Sequence, residues 1–396
     1  MAGSLVKRGR YALSLLVLLL AGCASPALRG TGDLGVVIER ASGSVQVVDN
    51  SHRHMLARVE GLGDLSHASV VFSRDARYAY VFGRDGAISK VDLLTFRLVK
   101  RIEQASNSIG GAISSDGRIV AAQNYEPGGV KLFDADTLTL LSEVKTTAGA
   151  DGKPSRVVGL ADLPGNRFVF SLFDSGEIWI VDASNPRSPS IKTWPHVGKS
   201  PYDGLASSDG RYYLAGLYGE DGLALLDTWH PEQGVRRILD GYGRGQKAMP
   251  VYKMPHLRGW SIAGDYAFLP AIGRHEVLVA DNRSWKEHAR VPVLGQPVFV
   301  MAEPTGKRVW VNFAFPDNGV VQVIDVPSMQ VIKTLHPGRA ILHMEFTARG
   351  DAVWLSSRDD DKLVVVDPIT LETVGELPAR GPSGIFFSWR AARMGM

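Results

Sequence analysis

Eight times along the chain, a small or polar residue opens a short β-rich run that ends in aspartate. The runs are "GSVQVVD", "GAISKVD", "GVKLFD", "GEIWIVD", "GLALLD", "HEVLVAD", "GVVQVID" and "DKLVVVD". Their aspartates, Asp49, Asp92, Asp134, Asp182, Asp227, Asp281, Asp325 and Asp367, are spaced by 43, 42, 48, 45, 54, 44 and 42 residues. A period near that length is one four-stranded propeller blade. Few other folds accept it.

Each period repeats the same internal order. An apolar strand leads into "SRDARY", "SSDGRI", "SSDGRY" or "TARGDA", turns built from residues that tight hairpins require. A second strand follows, then the strand ending in aspartate, then a turn such as "DADTLTL", then an outer strand. The repeated aspartates read as turn formers, because Asp caps its own backbone after a strand. The last repeat stops after one strand, "SGIFFSW", whereas the first supplies three strands and lacks an inner one. Joined, the two ends complete an eighth blade and leave no free sheet edge. The sequence therefore predicts one all-β domain over residues 31–390, an eight-bladed β-propeller with almost no helix.

The residues before it follow a different rule. "MAGSLVKRGR" is a basic stretch, "YALSLLVLLL" a short apolar one, and "LAGC" ends at Cys23. That is the layout of a lipoprotein signal over residues 1–22, too short an apolar run for a comfortable membrane span. Cys23 is the sole cysteine and stands where lipidation needs it. Residues 23–30 then read as a lipidated tether. With Ala24 next in line, the expected location is the periplasmic side of the outer membrane. Cleavage removes Lys7, Arg8 and Arg10 and no acid, so 44 basic residues fall to 41, against 41 acidic ones. The mature chain is neutral, and a nucleic-acid partner loses its electrostatic support. With no second cysteine, a bound metal or haem must be held by histidine, carboxylate or tyrosine.

A propeller concentrates its site in the central funnel, where innermost strands begin and second strands end. Position relative to the repeat aspartate predicts which residues reach it. His67 and His256 each precede their aspartate by 25 residues, and His343 precedes Asp367 by 24. Three histidines from three blades thus stand at the mouths of inner strands, an arrangement suited to a metal or a macrocycle. Arg84 lies 8 before Asp92 and Arg40 lies 9 before Asp49, while Tyr125 and Glu126 occupy that station in the next blade. Guanidinium forks bind carboxylates bidentately, so an arginine pair beside His67 points to a ligand bearing carboxylates around a central metal.

These residues carry a resemblance. "SHASVVFSRDARYAYVFGRDGAISKVDL", with "HMEFTARGDAVWLSS" and "GPSGIFF", resembles the d1-haem domain of the cytochrome cd1 nitrite reductases. The resemblance implies an eight-bladed propeller holding an iron macrocycle in its funnel. It places His67 as the axial iron ligand, Arg84 and Arg40 as carboxylate-binding arginines, and Tyr125 against the macrocycle. His256, in "KMPHLRGW", matches one of two distal histidines, and "FVMAEPTG" offers no second. A c-type haem domain is also missing from this chain. A working nitrite reductase is thus not expected. A lone d1-type propeller behind a lipoprotein signal is more similar to the proteins that build d1 haem in denitrifying bacteria.

The expected function is binding of haem d1, or its iron-containing late precursor, and participation in its biosynthesis by a tailoring or a carrier step. His256 and Glu303 are the acid–base candidates, with Glu126 behind them, and His343 is a further cofactor contact. Expected partners are cytochrome cd1 nitrite reductase and a related c-type d1-biosynthesis protein. Two other classes stay open: an envelope lipoprotein propeller that serves as a protein-binding scaffold, and a propeller enzyme using a bare central metal.

Overall fold

The computed structural model describes residues 30–240, 259–271 and 273–395. Residues 31–396 form one compact unit. Within it, eight four-stranded antiparallel sheets make the eight blades the period predicts. Blades 1 to 7 span residues 69–103, 107–144, 157–194, 201–238, 261–292, 297–335 and 341–378. Among the described residues, the helical elements are short 3-10 turns.

The composition of each strand follows from its place in a blade. Third strands are covered on both faces by the neighbouring blades: Lys362–Val366 reads as an apolar, β-branched run after its first residue, and Ala87–Asp92 is buried along its whole length even at Ser89 and Lys90. Outermost strands such as Arg97–Glu103 face water and are charged. The turns after inner strands are pinned by side chains: Ser114 Oγ donates to Asp116 at 2.6 Å, and Ser114 Oγ accepts from Ile119 N. The repeat aspartates cap the next turn, as in Asp92 with Leu94 N at 2.9 Å and Asp367 with Ile369 N at 2.7 Å. They are structural.

Blade 8 closes the ring. Leu34–Glu39 pairs antiparallel with the last strand, Pro382–Phe387, through Gly35 with Phe387, Val36 with Phe386 and Val37 with Ile385. Gly35 is required there, because a Cβ would stand 2.5 Å from the Phe387 ring. Beyond the last strand, residues 388–395 cross the face of the ring where inner strands end. Arg390 grips the buried carboxylate of Glu345. Arg74 bonds the carbonyls of Ala391 (3.1 Å) and Arg393 (2.8 Å) together with the Asp162 carboxylate (2.7 Å), which also receives Gly395 N–H. The tail thus ties blades 7, 1 and 3 across the axis, at the end opposite the funnel.

Candidate functional site

The funnel end contains a cavity of about 290 Å³. Arg40 enters from blade 8, Ser66 and His67 from the loop between blades 8 and 1, and Arg84 from the second-strand exit of blade 1. Blade 7 adds Ile341, Leu342 and Arg358, and blade 6 adds Val298 and the 312–315 segment with Asn318. Three guanidinium groups and one imidazole therefore face a single space. Among the described residues, none of those lining it is a carboxylate.

The charge balance at this wall is unusual. Arg358 Nε donates to Asp359 at 2.6 Å. Arg40 and Arg84 make no side-chain hydrogen bond or ion pair among the described residues, although both are partly buried. Burial pushes the Arg40 guanidinium down from its ordinary value; Arg358 and Arg84 add repulsion, while Asp64 opposes the shift. The group is still a cation at neutral pH. Its chain neighbour Glu39 offers no relief. That carboxylate turns inward and accepts from Arg58, Ser44, Gln46 and the Arg380 backbone. Asp64 is the nearby negative group, held below the usual carboxylate range first by its hydrogen bond from Ser66, against burial, and then by Arg84 and Arg40. The wall carries excess positive charge aimed at a cavity with apolar sides, as an amphipathic anion would require.

The funnel rim has a second, aromatic arc. Phe173 and Tyr218, nine residues before Asp182 and Asp227, leave the second strands of blades 3 and 4 and meet Tyr202 from the inner strand of blade 4. Ring centroids are 5.4 Å apart for Phe173 and Tyr202, and 5.6 Å for Tyr202 and Tyr218. The Arg156 guanidinium lies 4.3 Å from the Phe173 centroid, fixed by Asp174. Basic residues on blades 7, 8 and 1 thus oppose aromatic ones on blades 3 and 4. Neither this arc nor Arg358 is among the residues predicted from the sequence.

The predicted site residues divide into three groups. His67, Arg84 and Arg40 line the same cavity. Tyr125 is the last but one residue of the second strand of blade 2, at the funnel side, but does not line the cavity; Glu126, which ends the strand and is joined to Pro127 by a cis peptide, is exposed beside it. His343 departs from expectation. It is 0% exposed, its ring stacks on Phe386 with centroids 5.7 Å apart, and Nδ1 accepts the Ile385 N–H at 3.1 Å. A register shift between Ile341 and Met344 accompanies this inward turn. Glu303 is also misplaced by the sequence reading. It follows the inner strand Pro297–Ala302, in the turn at the far end from the funnel, where it accepts from Thr305 Oγ1 at 2.6 Å. It offers the funnel no acid or base. His256 and Cys23 lie outside the described residues.

A donor set of one imidazole plus unpaired guanidiniums fits a metal that arrives inside an anionic macrocycle. For such a group the protein would need to supply a further donor to the metal, which His67 could be, and counter-charges, which Arg40 and Arg84 could be. Among the described residues, no group of three His, Cys, Asp or Glu side chains is placed to hold an ion directly.

An eight-bladed ring with this funnel defines a d1-type propeller. The chain belongs to the cytochrome D1 haem domain family, whose model matches residues 29–391. It is 63% identical over 385 residues to protein NirF of Pseudomonas aeruginosa, covering 96% of this chain and 98% of that one. It is 30% identical over 362 residues to the dihydro-haem d1 dehydrogenase of the same species, covering 89% and 70%. A solved structure of dihydro-haem d1 dehydrogenase NirN in complex with DHE superposes with a TM-score of 0.79 at 27% identity, over 94% of this chain and 79% of that one.

Proposed function

We propose that this protein binds haem d1, or its iron-containing late precursor, in the funnel and serves the last stage of haem d1 biosynthesis. One observation carries the reading: Arg40 and Arg84 present guanidiniums with no side-chain partner among the described residues to the cavity that His67 also lines. Uncompensated, partly buried cations are costly unless an anion completes them. In this reading His67 would be the iron ligand, Arg40 and Arg84 would hold the carboxylates, and Arg358 would add a third positive charge. The bound iron macrocycle would supply a redox-active centre. The protein's share is to orient it and to keep its acidic edge desolvated.

Kinship with a dihydro-haem d1 dehydrogenase supports a tailoring step over simple carriage. The nitrite reductase and a c-type d1-biosynthesis protein are the partners this stage implies. Lipidation at Cys23 would hold the propeller on the periplasmic side of the outer membrane. Mass spectrometry of the mature N-terminus checks that, as does release into the soluble fraction by Cys23→Ala.

The deciding experiment adds d1 haem to the chain starting at residue 24 and records absorption spectra beside a His67→Ala variant. A saturable shift that the variant loses or alters supports the reading, and turnover of an offered precursor then separates tailoring from carriage. No shift with either protein leaves the scaffold class in front.

A further inference from the structure

Asp85 follows Arg84 in the chain, yet it does not line the cavity. Its side chain turns back into the loops behind the wall. Oδ2 accepts the Asp64 N–H at 3.0 Å and Arg101 Nη2 at 2.6 Å, and Oδ1 accepts the Ala87 N–H at 3.1 Å. Asp64 returns the contact, its carbonyl accepting the Arg84 N–H at 2.9 Å. The same Asp64 carboxylate accepts the Ser66 N–H at 2.8 Å, one residue before His67. Behind Asp85, Arg101 on the outermost strand of blade 1 also reaches the Leu62 carbonyl at 3.3 Å. Leu62 N–H in turn bonds the Gly43 carbonyl, in the turn that begins at Arg40.

The Asp85 carboxylate therefore joins the loop carrying His67 to the turn carrying Arg84, and through Arg101 and Leu62 this link extends to the turn that begins at Arg40. Loops by themselves place side chains loosely; holding three charged groups on one ligand requires support from behind. We propose that Asp85 is a positioning residue for the funnel ligand, fixing the His67 loop against the Arg84 turn without touching the ligand itself. The proposal rests on the tetrapyrrole reading above. It extends that reading to a residue for which nothing but turn formation would be expected.

The test uses Asp85→Ala and Asp85→Asn in the chain from residue 24, with d1 haem as probe. Three quantities are read: affinity, the absorption spectrum of the saturated complex, and amide hydrogen exchange without ligand. Asp85→Ala is expected to weaken binding by about tenfold or more and to move the spectrum toward that of His67→Ala. Asp85→Asn, whose amide oxygen still accepts a backbone N–H, should fall between. Exchange at Ser66 and Arg84 should accelerate together, while the equivalent turns of blades 3 and 6 keep wild-type rates. A merely structural Asp85 would lower the melting temperature and leave the saturated spectrum and affinity within twofold of wild type; that result overturns the proposal. The two failures are distinct. A wild-type protein silent toward d1 haem sinks the binding reading, whereas unchanged exchange at Ser66 and Arg84 in Asp85→Ala sinks the positioning role.

Discussion

Arg390 holds Glu345 of the neighbouring blade in a two-pronged pair, with Nε to Oε1 at 2.8 Å and the Glu345 side chain only 1% exposed. Burial pushes that carboxyl up and the guanidinium opposes it. Arg390→Met removes the opposition and leaves a buried acid alone, a loss of about 3–5 kcal/mol at neutral pH. In that variant the folded state keeps the proton that the unfolded state releases above about pH 4.5, so stability falls as pH rises. The deficit should shrink toward pH 4. Glu345→Leu combined with Arg390→Met should recover most of it. Urea unfolding at pH 4.5 and 7.5 checks all three statements.

Arg84→Gln should weaken binding of a carboxylate-bearing tetrapyrrole by roughly tenfold to a hundredfold, the worth of a charge-assisted hydrogen bond of about 1.5–3 kcal/mol. Arg358→Gln should cost less, because Arg358 already shares its charge with Asp359. Titrations of the two variants against wild type give the ranking. Equal losses would mean that all three arginines act only through the summed field.

Gly63 sits at φ +82°, and a Cβ there would stand 2.2 Å from Asp85 Oδ2 and 2.5 Å from Arg101 Nη2. Gly63→Ala should therefore pry the Asp85–Arg101 pair apart and reproduce the binding defect of Asp85→Ala. It also adds backbone strain of about 1 kcal/mol or more. Calorimetry and the d1 haem titration together test this.

Acid should loosen the ring at its turns. Burial would raise Asp92 and Asp227, but hydrogen bonds from Arg77 and Arg211 and from the following backbone N–H groups outweigh it and lower both. Asp360 is brought to about 2, first by its hydrogen bond from Arg339. Groups lowered on folding bind protons in the unfolded state first, so they stabilise above about pH 4 and lose that contribution as pH falls through the folded values. The Tm should be flat down to about pH 4.5 and fall steadily toward pH 2. Asp227→Asn should lie roughly 1 kcal/mol below wild type at neutral pH, with a shallower acid limb.

The ring was legible because its signal is redundant: eight aspartates cap eight turns, and the chain ends supply complementary fractions of a blade. The basic wall was partly legible for the same reason. Arg40 and Arg84 stand at one station of the repeat, and Arg358, nine before Asp367, carries the identical signal. Extending the comparison to every blade would have found it, along with Phe173 and Tyr218. Phase gives height along the axis but not the face a side chain presents. His343 has the right height, and a local register shift accompanies its burial among Phe299, Phe386 and the Ile385 amide. Glu303 fails on height itself, since a full strand of about 20 Å separates it from the entry at Pro297. The crossing tail left no trace in the pattern, because irregular backbone has no period to read.

The closure between the first and last strands has a consequence in time. Arg40 and Arg358 are 318 positions apart in the chain, and Arg40 is fixed by a strand whose partner, Pro382–Phe387, lies far downstream of it. Contacts so distant in sequence form late. A growing or truncated polypeptide possesses blades, but not the basic wall. On the proposed function, ligand capture would be deferred until the whole ring has shut, and a loaded protein would be its own certificate of complete folding.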